Sequence, residues 1–417
     1  MEVEERPFSE LLSDVIDNRG KTCPTAETGI PLIATNCIRN ELLYPTYDKV
    51  RFVSQETYSN WFRGHPKPGD IIFVNKATPG RVCLVPDPVD FCIAQDMVAV
   101  RANPKQVYPN YLFAVLRSPA VQEKIGQMHV GTLIPHFKKG DFDKLLLPIP
   151  GRKAQEFIGD AYFALSAKID VNRRLNATLE AMARALFQSW FVDFDPVRAK
   201  LDGRQPAGLD AATAALFPEH LEETALGHTP KGWEVRSLDK IAHYLNGLAL
   251  QKYPPGDGPT LPVIKIAQLR KGDSVGADRC NAHLPPAYIV QDGDVLFSWS
   301  GSLEVELWCG GPGALNQHLF KVTSPEFPKW FYYLWTLYHL DEFRLIAADK
   351  ATTMGHIQRG HLTVAKVLIP PRQLLDAMTC TMSALIDQII ANRIQSRTLA
   401  TLRDALLPKL LSGEVNL

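Results

Sequence analysis

Two stretches of the chain place apolar residues three and four positions apart. The first holds Leu165, Ile169, Leu175, Leu179, Met182, Leu186 and Trp190; the second holds Leu385, Ile389, Leu399, Leu402, Leu406 and Leu410. Such spacing predicts amphipathic helices, and Pro150 and Pro371 stand where a helix start tolerates proline. Each would run for about 35 residues, roughly 50 Å, which is long for an ordinary globular element. Two stripes of that length in one chain are expected to bury each other as an antiparallel coiled coil. Asn172 and Asn392 interrupt the two stripes at the same place. Each is either a solvated helix flank or a polar residue that sets register in the seam.

Elsewhere the pattern is of short β-rich runs between Gly, Pro and Asp turns. "DIIFV" (70–74), "RVCLV" (81–85) and "MVAV" (97–100) read as strands, as do "DVLFSW" (294–299) and "HLFKV" (318–322). "PNYLFAVLRSPAVQEKI" (109–125) and "PKWFYYLWTLYHLDEFRLI" (328–346) follow as amphipathic helices in matching positions, their aromatic rings expected to pack on the sheet.

The matching is systematic. "GTLIPHFKKGDFDKLLLPIP" (131–150) is answered by "ATTMGHIQRGHLTVAKVLIP" (351–370), so that His136 and His356, and Gly140 and Gly360, stand 220 residues apart. The same offset aligns Arg152 with Arg372, Asn172 with Asn392, Arg173 with Arg393, and Leu186 with Leu406. Upstream it drifts to 224 between "PGDIIFV" and "DGDVLFS", and to 231 between "IPLIATNCIRN" and "LPVIKIAQLRK". A drifting offset reports loops of unequal length in two copies of one module. The expected architecture is α+β: two tandem mixed α/β domains separated by two long antiparallel coiled-coil helices, with a pseudo-twofold repeat. The expected boundaries are 1–150 and 231–370 for the domains, 151–200 and 371–417 for the helical regions, and 201–230 for the linker. That linker carries one base against five acids, is rich in Pro and Gly, and has room for one short helix.

Composition narrows the function mainly by exclusion. Forty-five basic side chains balance 45 acidic ones, so no global charge announces a nucleic-acid partner, although a footprint can be local. Seven scattered cysteines form no CxxC pair or zinc-spaced cluster and are expected to be free thiols. The acidic start "MEVEERPFSE" does not read as a signal peptide, and a cytoplasmic protein is expected. No GxxxxGK[ST] loop, HExxH or GxSxG elbow is present. The Asn/Asp-Pro-Pro-aromatic tetrapeptide of amino-methyltransferases is also absent. Asp193 and Asp195 in "WFVDFDP" are expected to be solvated caps, with an unfamiliar active site there as the competing reading.

One recognition surface per copy, held apart by a helical pair, suits duplex DNA with two half-sites. Copies that diverge in the domains but not in the helices suit two different short sequences. Polar loops recur in matching positions. "NKATPG" (75–80), with Asn75 and Lys76, answers "SWSGSL" (298–303), with Ser298 and Ser300, and Gln95 answers Gln317. Thr132, His136, Lys138 and Lys139 answer Thr352, His356, Gln358 and Arg359. Gln and Asn can bond an adenine edge and Lys or Arg a guanine edge, while the cations could equally hold phosphates. Each loop could also be an exposed turn with no ligand. Leu165, Ile169, Asn172, Leu179, Leu186, Leu385, Ile389, Asn392, Leu399 and Leu406 are the expected helix–helix contacts.

"SAKIDVNRRLNATLEAMARALFQSWFVDFDPVRAK" and the terminal "LRDALLPKLLSGEV" resemble the two conserved regions of type I restriction–modification specificity subunits. "GDIIF", "GDVLF" and "PKGWEVRSLDKI" resemble that family's target recognition domains. Copy one departs from the pattern at its start, having "RPFSELLSDVIDNRGKTCP" where copy two opens on "PKGW". The resemblance implies a non-catalytic subunit that selects a bipartite, asymmetric double-stranded DNA target, one half per domain. It also implies partners: two methyltransferase subunits carrying S-adenosylmethionine, which flip an adenine, and restriction subunits that use ATP and Mg. This chain would then bind no cofactor and no metal. With 17 basic and 17 acidic residues in 1–150, the first domain would lean on its partners for phosphate contacts. A coiled-coil adaptor that binds proteins through its repeated domains is the alternative.

Overall fold

The computed structural model describes residues 3–18, 21–128, 135–349 and 355–414. The chain divides into two units, Met1–Val171 with Thr398–Leu417, and Asn172–Arg397. In the first unit a four-stranded antiparallel sheet is built from β1 (Leu12–Ile16), β2 (Ile71–Val74), β3 (Val82–Leu84) and β4 (Met97–Ala102), in the order β1-β4-β2-β3. The second unit repeats it with β5 (His243–Asn246), β6 (Val295–Ser298), β7 (Val305–Leu307) and β8 (Leu319–Thr323), in the order β5-β8-β6-β7. A smaller sheet accompanies each. In the first, Ile30–Ile33 lies between Arg51–Val53 and Cys92–Ile93; in the second, Thr260–Ile264 lies between Arg279–Asn281 and Gly313–Leu315.

The "GD" before β2 and β6 is a structural device. Asp70 is buried, accepts the Lys67 N–H at 2.8 Å, and grips Arg101 on β4 through two bonds of 2.8 Å. Asp294 accepts the Gln291 N–H at 2.8 Å and pairs with Lys321 on β8 at 2.8 Å. In both units the carboxylate closes the turn and pins the central strand to its neighbour.

Helices α1 (Pro109–Arg117) and α2 (Pro119–Met128) cover the first sheet and lead to the 40-residue α3 (Arg152–Phe191). In the second unit α4 (Lys329–Tyr338) and α5 (Leu340–Asp349) lead to the 41-residue α6 (Arg372–Ser412). Trp330, Phe331, Tyr333 and Trp335 are all buried in the second core, as packing rather than base stacking requires. Gly159, inside α3, looks costly for a helix until its neighbour is seen. A Cβ there would lie 2.5 Å from the Tyr111 nitrogen, so glycine lets the start of α1 press against the helix. The equivalent place on α6 holds Thr379, whose hydroxyl instead receives the Trp330 indole N–H at 3.1 Å.

In each unit the strand that precedes the sheets pairs with the strand that leads into the long helix. Val3–Pro7 runs antiparallel to Leu146–Pro150, with Glu4 facing Ile149; Glu234–Ser237 does the same with Lys366–Ile369, and Glu234 faces Ile369. Ile149 and Ile369 are counterparts, so "EERPFSEL" fills the place of "EVRSLDKI" despite the missing "PKGW". Phe8 and Leu11 are buried as Leu238 and Ile241 are. The 201–230 stretch contains the expected short helix, Ala211–Leu216, capped by Asp210. It also holds an unanticipated hairpin, Leu221–Thr224 with Gly227–Pro230.

The seam between α3 and α6 follows a strict heptad that corrects part of the predicted stripe. Gln155, Ile158, Tyr162, Leu165, Ile169, Asn172, Asn176, Leu179, Ala183, Leu186 and Trp190 alternate by threes and fours, all buried or half-buried. Leu375, Met378, Met382, Leu385, Ile389, Asn392, Ser396, Leu399, Arg403, Leu406 and Leu410 repeat that spacing on α6. Leu175, Met182 and Leu402 fall off it and are 40%, 48% and 45% exposed. α6 is apolar and long enough by composition to cross a membrane, but its apolar stripe is this heptad face.

In the first unit Ile158 and Tyr162 of α3 pack with Leu407 and Leu410 of α6. In the second, Ala183, Phe187 and Trp190 share a core with Met378, Met382, Ile386 and Ile389. Asn172 and Asn392 lie in the seam, 1% and 5% exposed, which decides for the register-setting role. The Asn172 amide donates to Gln395 Oε1 at 2.8 Å and Ser396 Oγ at 3.2 Å. In reply, the Asn392 amide donates to Asn176 Oδ1 at 2.8 Å, and Asn176 donates to the Ile389 carbonyl at 3.2 Å. Residues 172 and 392, and 176 and 396, are repeat counterparts, so the two sets of bonds mirror each other in antiparallel register. Arg393 fastens this seam to the second sheet, bonding Glu180 at 2.8 Å, Glu306 at 3.1 Å and the Leu307 carbonyl at 3.0 Å.

Asn392→Leu leaves Asn176 without its partner and is expected to cost about 1–3 kcal/mol in urea unfolding. The triple variant N172L/N176L/N392L should recover most of that, because no asparagine amide then remains unpaired in the seam. It should also admit slipped helix pairing, visible as cross-links between cysteines placed off the native register. A triple variant that cross-links in one register only would show that the amides do not set it.

Candidate nucleic-acid interface

In each unit three chain-distant loops meet at the end of the central strand. β2 runs out into Asn75 and Lys76. The Phe137 N–H donates to the Asn75 carbonyl at 2.9 Å and the Ala77 N–H to the Pro135 carbonyl at 3.0 Å, setting Lys76 opposite His136 in a two-residue bridge. The Asn75 and Lys76 N–H groups both donate to the Asp96 carbonyl, at 2.9 and 3.2 Å, which brings in the loop of Gln95. β6 runs out into Trp299 and Ser300 with the same wiring. Ile357 donates to the Trp299 carbonyl at 3.0 Å, Gly301 to the Gly355 carbonyl at 2.9 Å, and Trp299 to the His318 carbonyl at 3.4 Å. Ser300 therefore stands opposite His356. Gly355 is required here, since a Cβ on it would fall 2.4 Å from the Ala347 carbonyl oxygen.

The frame is shared, but its chemistry is not. In the first unit Lys76 Nζ pairs with Asp96 at 3.5 Å, both side chains more than a third exposed. The two corresponding positions of the second unit are Ser300 and His318, joined Oγ to Nδ1 at 3.1 Å. Trp299, in the place of Asn75, donates from its indole to Asn246 Oδ1 at 2.9 Å and meets the His356 ring edge-on at 6.3 Å. One unit thus presents an ion pair and an imidazole; the other presents an indole and two imidazoles, while the Ser300 hydroxyl is buried and holds His318, which corrects its assignment as a reading group.

Several predicted residues hold the frame rather than face outward. Asn75 is buried, and its amide donates to the Phe137 carbonyl at 2.9 Å. Ser298 is fully buried; its hydroxyl accepts the Glu304 N–H at 2.8 Å and donates to the Ser302 carbonyl. These two are struts, which corrects their assignment as reading groups. Gln358 caps the helix Arg359–Val364. Arg359 lies over the Phe320 ring at 5.6 Å and bonds the Tyr244 carbonyl at 3.3 Å. Lys138 is exposed; Lys139 is exposed and pairs with Asp17 at 3.2 Å. Gln95 is half-buried, and Gln317 reaches the His318 ring at 3.4 Å. Thr132 and Thr352 lie outside the described residues. Asp96, His318, Trp299 and Asn246 were not anticipated. The adjacency of Gln95–Asp96 and Gln317–His318 in the repeat was the available signal for the first two. Asp193 and Asp195 are exposed at the end of α3, where Asp193 accepts from Gln188 at 3.1 Å and Asp195 lies in the first turn of the next helix. They are solvated, as expected, but neither caps a helix: Phe194 holds the N-cap position and no side chain bonds there.

A model of the type I restriction modification DNA specificity domain matches residues 12–181 and again 230–397, once for each three-loop frame. The chain belongs to this family. It is similar to the HindI specificity subunit of Haemophilus influenzae, with 24% identity over 405 residues covering 84% of this chain and 87% of that one. It is also similar to the MjaIX specificity subunit of Methanocaldococcus jannaschii, at 23% over 397 residues covering 93% and 87%. Its fold resembles the crystal structure of a type I restriction–modification S subunit from M. genitalium. There the TM-score is 0.52 and the identity 15%, over 98% of this chain and 96% of that one. The two specificity domains stand in tandem, as the repeat implied, and the adaptor alternative finds no support.

Burial first, then the cations of Lys76 and Lys138, hold the His136 imidazole below the ordinary histidine pKa. At neutral pH it offers one donor and one acceptor rather than a charge. Replacing Lys76 by Met removes one cation that opposes protonation, so the His136 titration should move to higher pH. It should stay below the ordinary value, because burial remains. Imidazole proton shifts read this directly; a titration that moved down or not at all would mean that the Lys76 charge is spent entirely on Asp96.

Proposed function

We infer that each three-loop frame reads one half of a split, asymmetric DNA target. The chain is a specificity subunit of a type I restriction–modification system, and its task is recognition rather than catalysis. The observation that carries the half-site reading is the contrast between the frames. The backbone wiring is the same, but Lys76, Asp96 and His136 occupy one and Trp299, Ser300, His318 and His356 the other. A shared scaffold with different side chains suits two different short sequences. The neutral composition suits a reader that depends on partners for much of its phosphate contact.

The paired helices α3 and α6 are proposed as the scaffold on which two methyltransferase subunits and the restriction subunits assemble. Those partners would supply S-adenosylmethionine, ATP and Mg, and would methylate adenine at N6 in each half-site. This chain would bind none of these groups and would work on DNA in the cytoplasm. Leu175, Met182 and Leu402, turned away from the seam, are available as contacts for such partners.

Co-expression with the cognate methyltransferase subunit, followed by mapping of N6-methyladenine in the host genome, is expected to reveal two short specific halves around a fixed gap. K76A/H136A should relax one half, at a cost of about 1–3 kcal/mol per lost base contact, and leave the other half and the subunit assembly intact. H356A should act on the opposite half. Variants that weaken both halves together, or that release the methyltransferase, would overturn the one-frame-per-half reading.

A further inference from the structure

A pocket of about 300 Å³ in the first unit lies apart from the three-loop frame, where α1 meets the last turns of α6. Asn40, Glu41, Arg117, Tyr162, Arg403 and Asp404 line it. Two of these are buried arginines, Arg117 at 8% and Arg403 at 5% exposure. Arg117 lies over the Phe113 ring at 4.3 Å and spends one nitrogen, Nη2, on the carbonyls of Leu42 and Val82. Its Nε and Nη1 are buried with no partner inside 3.5 Å, the Tyr162 phenol being close enough to favour the charge without closing a hydrogen bond at that distance. No carboxylate lies within ion-pairing distance of Arg117 among the described residues. Arg403 is held over the Tyr162 ring at 5.4 Å, with Nε on Asp404 at 2.8 Å and Nη1 3.5 Å from Ser166 Oγ.

A guanidinium stays charged in a protein, so burial cannot be relieved by losing the proton. Two such groups facing one desolvated space repel each other, and burial already opposes the charge on Arg117. An anion between them converts that repulsion into a bridge and fills the unused donors of Arg117. The acidic neighbours act on Arg403 and not on Arg117: Glu41 is exposed, Asp404 is 63% exposed, and both favour the Arg403 charge. The second unit lacks the device. Its corresponding α4 turn carries Thr336 and Leu337, and Ala183 stands 220 residues before Arg403. The pair is thus an addition to one copy and not a requirement of the fold.

We propose that this pocket is an oxyanion site, which takes a phosphate-class anion between Arg117 and Arg403 and so fastens the last turns of α6 to the first unit. The anion is either free phosphate or the terminal phosphate of a nucleotide. Occupancy would tighten the grip of α6 on α1, making the first unit more stable when phosphate is abundant.

The test is calorimetric titration and thermal unfolding of the whole chain with inorganic phosphate, against chloride at equal ionic strength. Phosphate should raise the midpoint saturably where chloride does not. R117M and R403Q should each bind phosphate at least tenfold more weakly. ATP that competes with phosphate and binds more tightly would identify the nucleotide as the source; phosphate alone would identify the free ion. Equal shifts from phosphate and chloride, or an undiminished phosphate response in R403Q, would overturn the site. Should R117M fail to fold, R403Q decides the matter, since its position on α6 holds alanine in the other repeat.

Discussion

Leucine heptads repeated at one interval along two helices do not by themselves choose a register, because sliding by seven residues brings a similar stripe into contact. The amides of Asn172, Asn176 and Asn392 remove that freedom. Buried amides tolerate only the pairing in which each finds its partner. The mirrored bonds from 172 to 396 and from 392 to 176 exist in one antiparallel register alone. Arg393 then carries this setting outward, from the seam to Glu306 and the Leu307 carbonyl at the edge of the second sheet. The seam gives up some hydrophobic contact to gain a single answer, and the attachment of that sheet inherits it.

The two recognition frames show how a duplicated module diverges without losing its shape. Backbone bonds hold the loops together, so side chains at the meeting point are released from structural duty. Lys76 and Asp96 can become Ser300 and His318 because neither pair carries the wiring. Where a side chain does carry it, the residue is buried: Asn75 clamps the Phe137 carbonyl, and Ser298 clamps the 302–304 turn. This division explains why polar residue type alone was a poor guide to which loop residues face outward. The sequence pattern marks a turn, and only the hydrogen bonds distinguish a strut from an exposed group.

The repeat, the strands, the paired helices and the tandem organisation were legible in the sequence because each rests on periodicity over many residues. Failures came where one or two residues decide. Leu175, Met182 and Leu402 fit a loose three-and-four spacing yet fall outside the strict heptad, and single apolar residues on an exposed face are common. The opening strand of the first unit was obscured because "EERPFSEL" preserves the burial of Phe8 and Leu11 but not the "PKGW" signature. Arg117 is one more charged residue on an amphipathic helix in sequence; its burial follows from the fold of the 40–42 loop and β3 around it.

The sheets of each unit lie between one pair of strands: Val3–Pro7 against Leu146–Pro150, and Glu234–Ser237 against Lys366–Ile369. Entry and exit of the chain are therefore neighbours, and everything between them is a closed excursion from the helical frame. A cut at those two strands removes a complete module and leaves a gap of a single strand pair to be rejoined. Changing the loops inside such a module leaves its entry and exit where they were, so the long helices need not move when the side chains of a frame are replaced.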